Sequence, residues 1–331
     1  MAIRITIVGL GQIGTSIGLA LADHQELLFR VGHDRELQVA RQAEKMGALD
    51  RVEINLPKAV RDSELVLLSL PIDQIRETME IVAPDLKEGA VVMDTGPIKE
   101  AVAAWAGELL PQGRHYVGLT PVINPAYLHD VISGVEAARP DLFRRGMMAI
   151  VAPPRANSDA IKLAADLTRL LGAMSFFADP AEIDGLMAAT HTLPQVMAAG
   201  LLNATVDQPG WREGRKVAGR AYAEVSGAIT HLSDPNALTA SILINQQNVK
   251  RVLDGAIAAL QAIRGDIEAG DEAALQERLG RARRARELWW HARQAADWAN
   301  EDVPPVSVPE NPGILGRLFG TSNRPRPRDK K

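Results

Sequence analysis

The sequence predicts a doubly wound, mostly parallel α/β domain followed by an all-α domain. Up to about residue 153, short apolar runs typical of strands alternate with helical stretches, and this favours a parallel sheet because each parallel connection needs a crossover. Beyond residues 153–154, segments rich in Ala and Leu continue with helical spacing to about residue 300. A length of 331 residues also exceeds the roughly 100–200 residues of one domain. We therefore expect one domain at 1–153 and a second at 154–300.

Seven short runs rich in apolar residues predict strands. They span residues 3–8, 28–32, 65–70, 90–94, 116–118, 148–152 and, inside the helical region, 174–177. An open α/β sheet binds its ligands outside the carboxyl ends of the strands. Residues that directly follow these strands are therefore candidates for a binding site.

Capping chemistry locates helix starts in the second domain. Asp179, followed by Pro180 and Glu182, offers a side-chain cap, a proline at the first helical position and a carboxylate in the first turn. Residues 233–235 repeat this pattern, and from 235 to 269 apolar residues recur along one helical face. That face needs a partner, either in its own domain or in a second subunit, and we expect a homodimer.

Composition excludes several kinds of protein. A formal net charge of −4 gives no field that draws the chain onto nucleic acid, and the lack of cysteine excludes disulfides and thiolate metal sites, so no metal is predicted. No run reaches the ~18 apolar residues that cross a bilayer, and no cleavable signal precedes the first strand. We expect a cytoplasmic protein without membrane or nucleic-acid partners. Residues 301–331, rich in Pro, Gly, Asn and Arg, are expected to form a disordered tail.

A glycine-rich turn joins the first predicted strand to a helix, which is the context of a dinucleotide-binding Rossmann fingerprint. The turn consists of Gly9, Leu10, Gly11, Gln12, Ile13 and Gly14. The first glycine permits a tight turn, the second lets the backbone approach a pyrophosphate, and the third lets helix and strand pack closely. Asp34 ends the second strand twenty residues after Gly14 and is predicted to bond the ribose hydroxyls, or else to cap the next helix. NAD is the predicted cofactor, and the neighbouring Arg35 leaves NADP possible.

Two further strand ends indicate the same site. The residues concerned are Ser69, Leu70 and Pro71 after one strand and Asp94 and Thr95 after the next. We expect them to contact the cofactor because of their position, although Pro and Gly also punctuate ordinary strand exits.

Five segments resemble, in order, motifs of the prephenate/arogenate dehydrogenase family: residues 7–20, 91–100, 116–127, 182–201 and 221–248. The most specific are 94–99, which is similar to that family's Asp-(Val/Thr)-Gly-Ser-Val-Lys turn, and 233–235 before a long helix. The resemblance implies a Rossmann domain, a helical dimerisation domain, and a site between them that oxidises a small carboxylated cyclohexadienol with loss of CO₂. Hydride would pass to NAD, a His would take the hydroxyl proton, and a cation would hold a carboxylate.

Several motif positions depart from the family pattern. Thr120 stands where the family has its catalytic His, Gln195 replaces a second His, and Pro97 replaces the turn serine. Ile229 occupies the position of a substrate-binding Arg, although His231 lies two residues on. Threonine cannot act as a base near neutral pH, so the resemblance implies a replacement base.

His191 is the predicted replacement base, because it lies on the helix that should face the cleft between the domains. The alternative is a structural His that bonds a neighbouring carbonyl or Asp184. His231 and His115 are weaker candidates for the same role. Lys99 is a further catalytic candidate, and Asn124 and Gln195 are predicted to bind substrate; Lys99 and Asn124 could instead terminate turns.

Two other functions compete with this interpretation. A β-hydroxyacid-type dehydrogenase would share the architecture but needs a lysine base, and neither Lys162 nor Lys216 lies in a segment that resembles that family's catalytic helix. A protein that binds NAD as a regulatory subunit and has lost its chemistry would explain the missing His and Arg.

Overall fold

The computed structural model describes residues 2–130, 132–231, 235–296 and 298. Within them, an eight-stranded sheet has the order β3-β2-β1-β4-β5-β6-β7-β8. The strands are β1 Ile3–Val8, β2 Leu28–His33, β3 Arg51–Val52, β4 Leu65–Leu68, β5 Val91–Asp94, β6 His115–Val122, β7 Met147–Val151 and β8 Met174–Ala178. Neighbouring strands are parallel except β6 and β7, which pair antiparallel. The predicted doubly wound, mostly parallel sheet is confirmed.

Helices cover both faces of the sheet. They are α1 Gln12–Ala20, α2 Leu37–Lys45, α3 Leu56–Val60, α4 Ile72–Val82, α5 Glu100–Leu109 and α6 Ser158–Leu170. One apolar core joins α1 and α6 to one face, and a second core joins α4 and α5 to the other. Because β1, β4 and β5 are central and buried on both faces, they consist mostly of Ile, Val and Leu.

The sheet continues past residue 153, at which the sequence analysis ended the first domain. Helix α6 packs on the sheet, and β8 pairs in parallel with β7 from Met147 to Val151. The proline pair at 153–154 is thus a strand-to-helix connection within the α/β unit. A single isolated strand signal at 174–177 could not show by itself which sheet it joins.

A helical unit follows β8. Its elements are α7 Pro180–Met187, a π-helical turn Ala188–Thr192, α8 Leu193–Thr205, α9 Trp211–Val217, α10 Arg220–Gly227, α11 Pro235–Ile244, α12 Gln246–Ala269 and α13 Glu272–Ala295. The predicted cap of α7 is confirmed, since the Asp179 side chain accepts the backbone N–H of Glu182 at 2.8 Å. The apolar stretch predicted from 235 to 269 is divided at Asn245 into α11 and α12.

Three sequence predictions lie outside the described residues: the cap at Ser233 and Asp234, the side chain of His231, and the tail at 301–331. Among the described residues, no helix combines the length and apolar character needed to cross a membrane.

Candidate active site

In the glycine turn after β1, two positions have no room for a side chain. Gly9 has φ +89°, and a Cβ there would lie 2.3 Å from the carbonyl oxygen of Ser69. A Cβ on Gly14 would lie 2.0 Å from the carbonyl oxygen of Gly9. Any side chain at these positions would push β1, β4 and α1 apart. The turn and the close helix packing predicted for Gly9 and Gly14 are thus present in the structure.

Gly11 differs, because a Cβ on it would meet no protein atom within 4 Å. Its φ of −69° suits any residue, so neither space nor backbone conformation requires glycine here. Gly11 also caps α1 without a side-chain hydrogen bond, which leaves the first N–H groups of the helix available to an anion. An open cradle with free N–H groups fits the pyrophosphate of a dinucleotide.

Asp34 lies beside this turn at the tip of β2. One carboxylate oxygen accepts the N–H of Leu10 at 2.7 Å, and the other accepts the N–H of Glu36 at 2.8 Å. The carboxylate therefore connects the glycine turn to the start of α2, and the side chain of the next residue, Arg35, is exposed. Each carboxylate oxygen has a second lone pair that a ribose hydroxyl could use.

The other strand ends meet at the same edge. The N–H of Ser69 donates to Val8 at 2.8 Å, and the N–H of Thr95 donates to Leu68 at 3.0 Å. The Thr95 hydroxyl donates to the Ser69 hydroxyl at 3.3 Å. The remaining cofactor candidates share this edge. Leu70 lies against Gly9, and Pro71 precedes α4. The Gln12 side chain donates to the carbonyl oxygen of Ala137 at 3.3 Å, and Ile13 packs on the core.

Lys99 and Asp94 form a fully buried ion pair under this edge. The Lys99 Nζ donates to Asp94 Oδ2 at 2.6 Å, and both side chains are 0% exposed. Asp94 also accepts the Tyr116 hydroxyl at 2.6 Å and the Gly96 N–H at 2.8 Å. Burial lowers the pKa of Lys99, against the opposing effect of Asp94, and raises the pKa of Tyr116. The Lys99 ammonium is occupied by Asp94, and the pair holds the turn at 94–99 together.

Asp184 on α7 links this turn to the helical unit. Its carboxylate accepts the N–H of Lys99 at 2.6 Å and of Glu100 at 3.2 Å, which satisfies the start of α5. Its carbonyl oxygen accepts the side chain of Asn245 at 2.8 Å. Burial raises the pKa of Asp184 to about 6, although both backbone hydrogen bonds act in the opposite direction.

Thr120 lies on the part of β6 that overhangs the cofactor edge. Gly118 pairs with Asp94, the last residue of β5, so Thr120 is two residues beyond the end of that strand. Thr120 is 3% exposed, and its Oγ1 has no hydrogen-bond partner among the described residues. Its cross-strand neighbour Ala149 packs with Ile183 and Met187 of α7, which places Thr120 on the face that α7 covers.

The π-helical turn at 188–192 decides which side chains after α7 face inward. Pro194 lacks an N–H and its ring crowds the carbonyl four residues earlier, which widens the preceding turn. His191 is consequently exposed, whereas Thr192 and Gln195 are buried. Gln195 donates to the carbonyl oxygen of His191 at 3.0 Å, and its own Oε1 has no partner among the described residues. The structure thus does not place the His191 side chain with the buried site residues.

Two other candidates, Asn124 and His115, do not join the buried residues around Thr120. Asn124 is 7% exposed; its Oδ1 accepts the N–H of Ala126 at 3.0 Å and its amide donates to Asp141 at 3.3 Å, so it terminates the turn after β6. His115 pairs with Val91 at the start of β5, at the opposite edge of the sheet from Thr120.

Comparison with known proteins gives the family of this chain. The family model described as prephenate dehydrogenase, nucleotide-binding domain, matches residues 17–176, and the model described as prephenate dehydrogenase, dimerization domain, matches residues 179–281. The chain belongs to the prephenate dehydrogenase family. The family and the predicted fold class are confirmed, and the enzyme class is that of a dehydrogenase.

Relatives in this family match over most of their length at modest identity. A prephenate dehydrogenase of Bacillus subtilis is 24% identical over 95% of this chain and 83% of its own, and a cyclohexadienyl dehydrogenase of Zymomonas mobilis is 26% identical over 86% and 94%. The solved prephenate dehydrogenase from A. aeolicus, in complex with hydroxyphenyl propionate and NAD⁺, has a TM-score of 0.77 at 21% identity and covers 87% of this chain and 99% of its own. Synechocystis arogenate dehydrogenase has a TM-score of 0.69 at 21% identity, covering 87% and 100%.

Three residues that the structure brings to the candidate site were not predicted from the sequence as site residues: Tyr116, Asp184 and Asn245. Tyr116 read only as part of a strand, and Asp184 appeared only as a possible partner of His191. Alternation along β6 puts Tyr116 on the same face as Thr120, which was a usable signal. The contacts of Asp184 and Asn245 join distant segments, and no local pattern carries such information.

Proposed function

We propose that this chain is an NAD-dependent dehydrogenase that oxidises prephenate or arogenate with loss of CO₂. The proposal depends on the glycine turn. Packing within the protein explains Gly9 and Gly14, whereas Gly11 borders open space that a pyrophosphate would fill. Membership of the family supplies the reaction class, and the relatives described above span most of the chain.

NAD is the cofactor that the turn fits. The N–H groups at the start of α1 would bind the pyrophosphate, and Asp34 would accept the ribose hydroxyls. A 2′-phosphate on NADP would meet the charge of Asp34, which favours NAD. When bound, NAD supplies the hydride acceptor for the reaction.

The residues of the chain must then orient the substrate and accept its hydroxyl proton. We infer that Thr120 and Gln195 hydrogen-bond the substrate, because Thr120 Oγ1 and Gln195 Oε1 are buried atoms that lack partners among the described residues. Neither side chain titrates near neutral pH, so the hydroxyl proton passes to water. Lys99 and Asn124 act by holding the turns at 94–99 and 124–126.

One observation favours a second function. His191 is exposed, and Thr120 and Gln195 cannot replace an imidazole base. A chain that binds NAD and the substrate without turnover would serve as a regulatory subunit, and the experiment below separates the two.

The test measures NAD binding by calorimetry and NADH formation with prephenate and with arogenate. We expect NAD to bind and one of the two substrates to be oxidised. In Gly11→Ala, the added methyl group occupies the cradle and meets no protein atom within 4 Å, so NAD affinity should fall by at least about tenfold while thermal stability is retained.

Gly107→Ala on α5 is the matched control, because its added methyl group also meets no atom within 4 Å but lies away from the glycine turn. It should leave NAD affinity unchanged. NAD binding without turnover of either substrate would support the regulatory subunit, and a wild-type chain that releases no heat with NAD would refute both functions.

We also propose that the enzyme is a homodimer that forms through its helical unit. The support is the dimerization-domain match over residues 179–281 together with the exposed apolar side chains on α12 and α13. The cytoplasmic location and the absence of a nucleic-acid partner stay predictions of the sequence.

A further inference from the structure

The last turns of α13 lie against the carboxyl edge of the sheet. The Arg293 guanidinium donates through Nη2 to the carbonyl oxygen of Ile123, the first residue after β6. Arg145, just before β7, donates to the carbonyl oxygen of Gln294 at 2.6 Å. The rings of His129 and Trp290 are 5.1 Å apart. These contacts bring a cation on the helical unit to the end of the strand that bears Thr120.

The charge of Arg293 has no counter-charge in the described part of the chain. The residue is 4% exposed, and its Nη1 is buried without a hydrogen-bond partner there. Burial lowers the pKa of Arg293, and no carboxylate opposes this effect. A buried charge without a partner costs several kcal/mol, whereas a carboxylate on the same guanidinium repays much of that cost. The arrangement therefore favours an anion that comes from outside the described residues.

The place of this cation matches the needs of the proposed substrate. Family resemblance implies a substrate-binding Arg at the position of Ile229, where this chain has no charge. From α13, Arg293 contacts the carbonyl oxygen of Ile123, three residues beyond Thr120 and directly after the part of β6 that overhangs the cofactor edge. A guanidinium can bind a carboxylate through two parallel hydrogen bonds, and Nη1 is one such donor still available.

We propose that Arg293 binds a carboxylate of the substrate, in place of the family Arg that Ile229 replaces. This inference rests on the proposed function and adds to it the residue that recognises the acid group. Arg293 keeps its bond to Ile123 and uses Nη1 for the carboxylate. The chain thus selects ring substrates that carry an acid group over neutral ones of the same shape.

The experiment compares two probes that differ only in charge. Binding of hydroxyphenyl propionate and of its primary amide is measured by calorimetry on the full chain saturated with NAD. Wild type should prefer the acid. In Arg293→Met, which keeps an apolar stem, affinity for the acid should fall about 10- to 100-fold while affinity for the amide stays the same, since a hydrogen bond to a charged group contributes that much.

Two further variants separate binding from folding. Arg293→Lys keeps the charge but not the fork and should fall between wild type and Arg293→Met. Arg286→Met on the same helix removes a guanidinium that stacks on Trp289 and Trp290, and it should change neither probe.

Equal losses for both probes in Arg293→Met would show that the residue only holds the turn after β6, and would overturn the inference. Absence of any preference for the acid in wild type, or failure to bind either probe, would overturn it as well. All three results leave the proposed function standing if NAD binds and a substrate is turned over, whereas a wild-type chain that binds no NAD contradicts the proposed function itself.

Discussion

Lys99 and Asp94 are both fully buried, and their ion pair is part of a network with Tyr116 and the N–H of Gly96. Gly118 leaves room for this network, because a Cβ there would lie 2.6 Å from Lys99 Cδ. The sequence marked Asp94 as a cofactor candidate by its position at a strand end, and Lys99 as a catalytic candidate near the expected mouth of the site. It could not show that the lysine folds back under the strand, because that depends on the missing side chain of a residue nineteen positions later.

Lys99→Met should therefore destabilise the chain by about 3–5 kcal/mol, because it leaves the Asp94 carboxylate buried without its cation. The measurement is the free energy of unfolding from urea titration monitored by circular dichroism. Arg264→Met is the control: its pair with Glu268 has side chains 77% and 61% exposed and should contribute less than about 1 kcal/mol. A loss in Lys99→Met no larger than that of the control would contradict the structural role of the pair.

At the scale of elements, a buried carboxylate on α7 links that helix to the start of α5. Asp184 on α7 accepts the two N–H groups that begin α5 and is 2% exposed. Its pKa is raised from 3.8 to about 6, chiefly by burial. Between these two pKa values the folded state holds a proton that the unfolded state has lost. The free energy of unfolding therefore falls as pH rises through this range, and the contribution of Asp184 becomes constant above about pH 6.

Asp184→Asn should remove this pH dependence. In wild type the group should lower stability by about 2 kcal/mol between about pH 4.5 and about pH 7, and the variant should lack that contribution. Urea unfolding at the two pH values gives the difference between the chains. Asp254→Asn removes an exposed carboxylate from the helical unit and should keep the wild-type slope. Identical slopes in wild type and Asp184→Asn would show that this carboxyl group does not titrate in the window.

The elements themselves differ in how far the sequence predicted them. The first strand is found at Ile3–Val8 as predicted, because a run of apolar residues that ends in glycine carries its own boundaries. Strand β6 extends to Val122, beyond the predicted 118, because residues 118–122 pair with the antiparallel β7, and a pairing with a distant segment leaves no local signal. The exposure of His191 could not be predicted, because helical periodicity assumes regular turns and the π-helical turn at 188–192 shifts the register.

At the scale of the whole molecule, the candidate site needs both units. The sheet supplies the glycine turn, Asp34 and Thr120, and the helical unit supplies Gln195 and the Asp184 carboxylate that caps α5. Ala240 on α11 also packs against the core that α4 and α5 form with the sheet. A site that spans two units depends on how rigidly the units are joined. Within the helical unit, the two long helices α12 and α13 leave much of their apolar surface exposed.

A second copy of the chain is the partner that we propose for that surface. Ile257 and Leu260 on α12 and Leu279 on α13 are 45%, 53% and 53% exposed, and all three lie within the dimerization-domain match. A stable interface of ordinary size buries about 800 Å² on each partner, and the exposed apolar face of α12 and α13 is a surface that such an interface could cover. The double variant Ile257→Asp/Leu260→Asp would place two charges in the interface, and desolvating them costs several kcal/mol each.

We expect wild type to sediment as a dimer and the double variant as a monomer at the same micromolar concentration, measured by analytical ultracentrifugation. Ile54→Asp is the matched control, because Ile54 is 65% exposed but lies on the α/β unit, so its variant should remain a dimer. If the double variant stayed dimeric, the interface would lie elsewhere on the chain. If wild type were monomeric, the apolar face of α12 would need another partner.

Loss of the dimer should also weaken substrate binding more than NAD binding, because Gln195 on α8 belongs to the same helical unit. The ratio of the two affinities measures how far assembly supports the site.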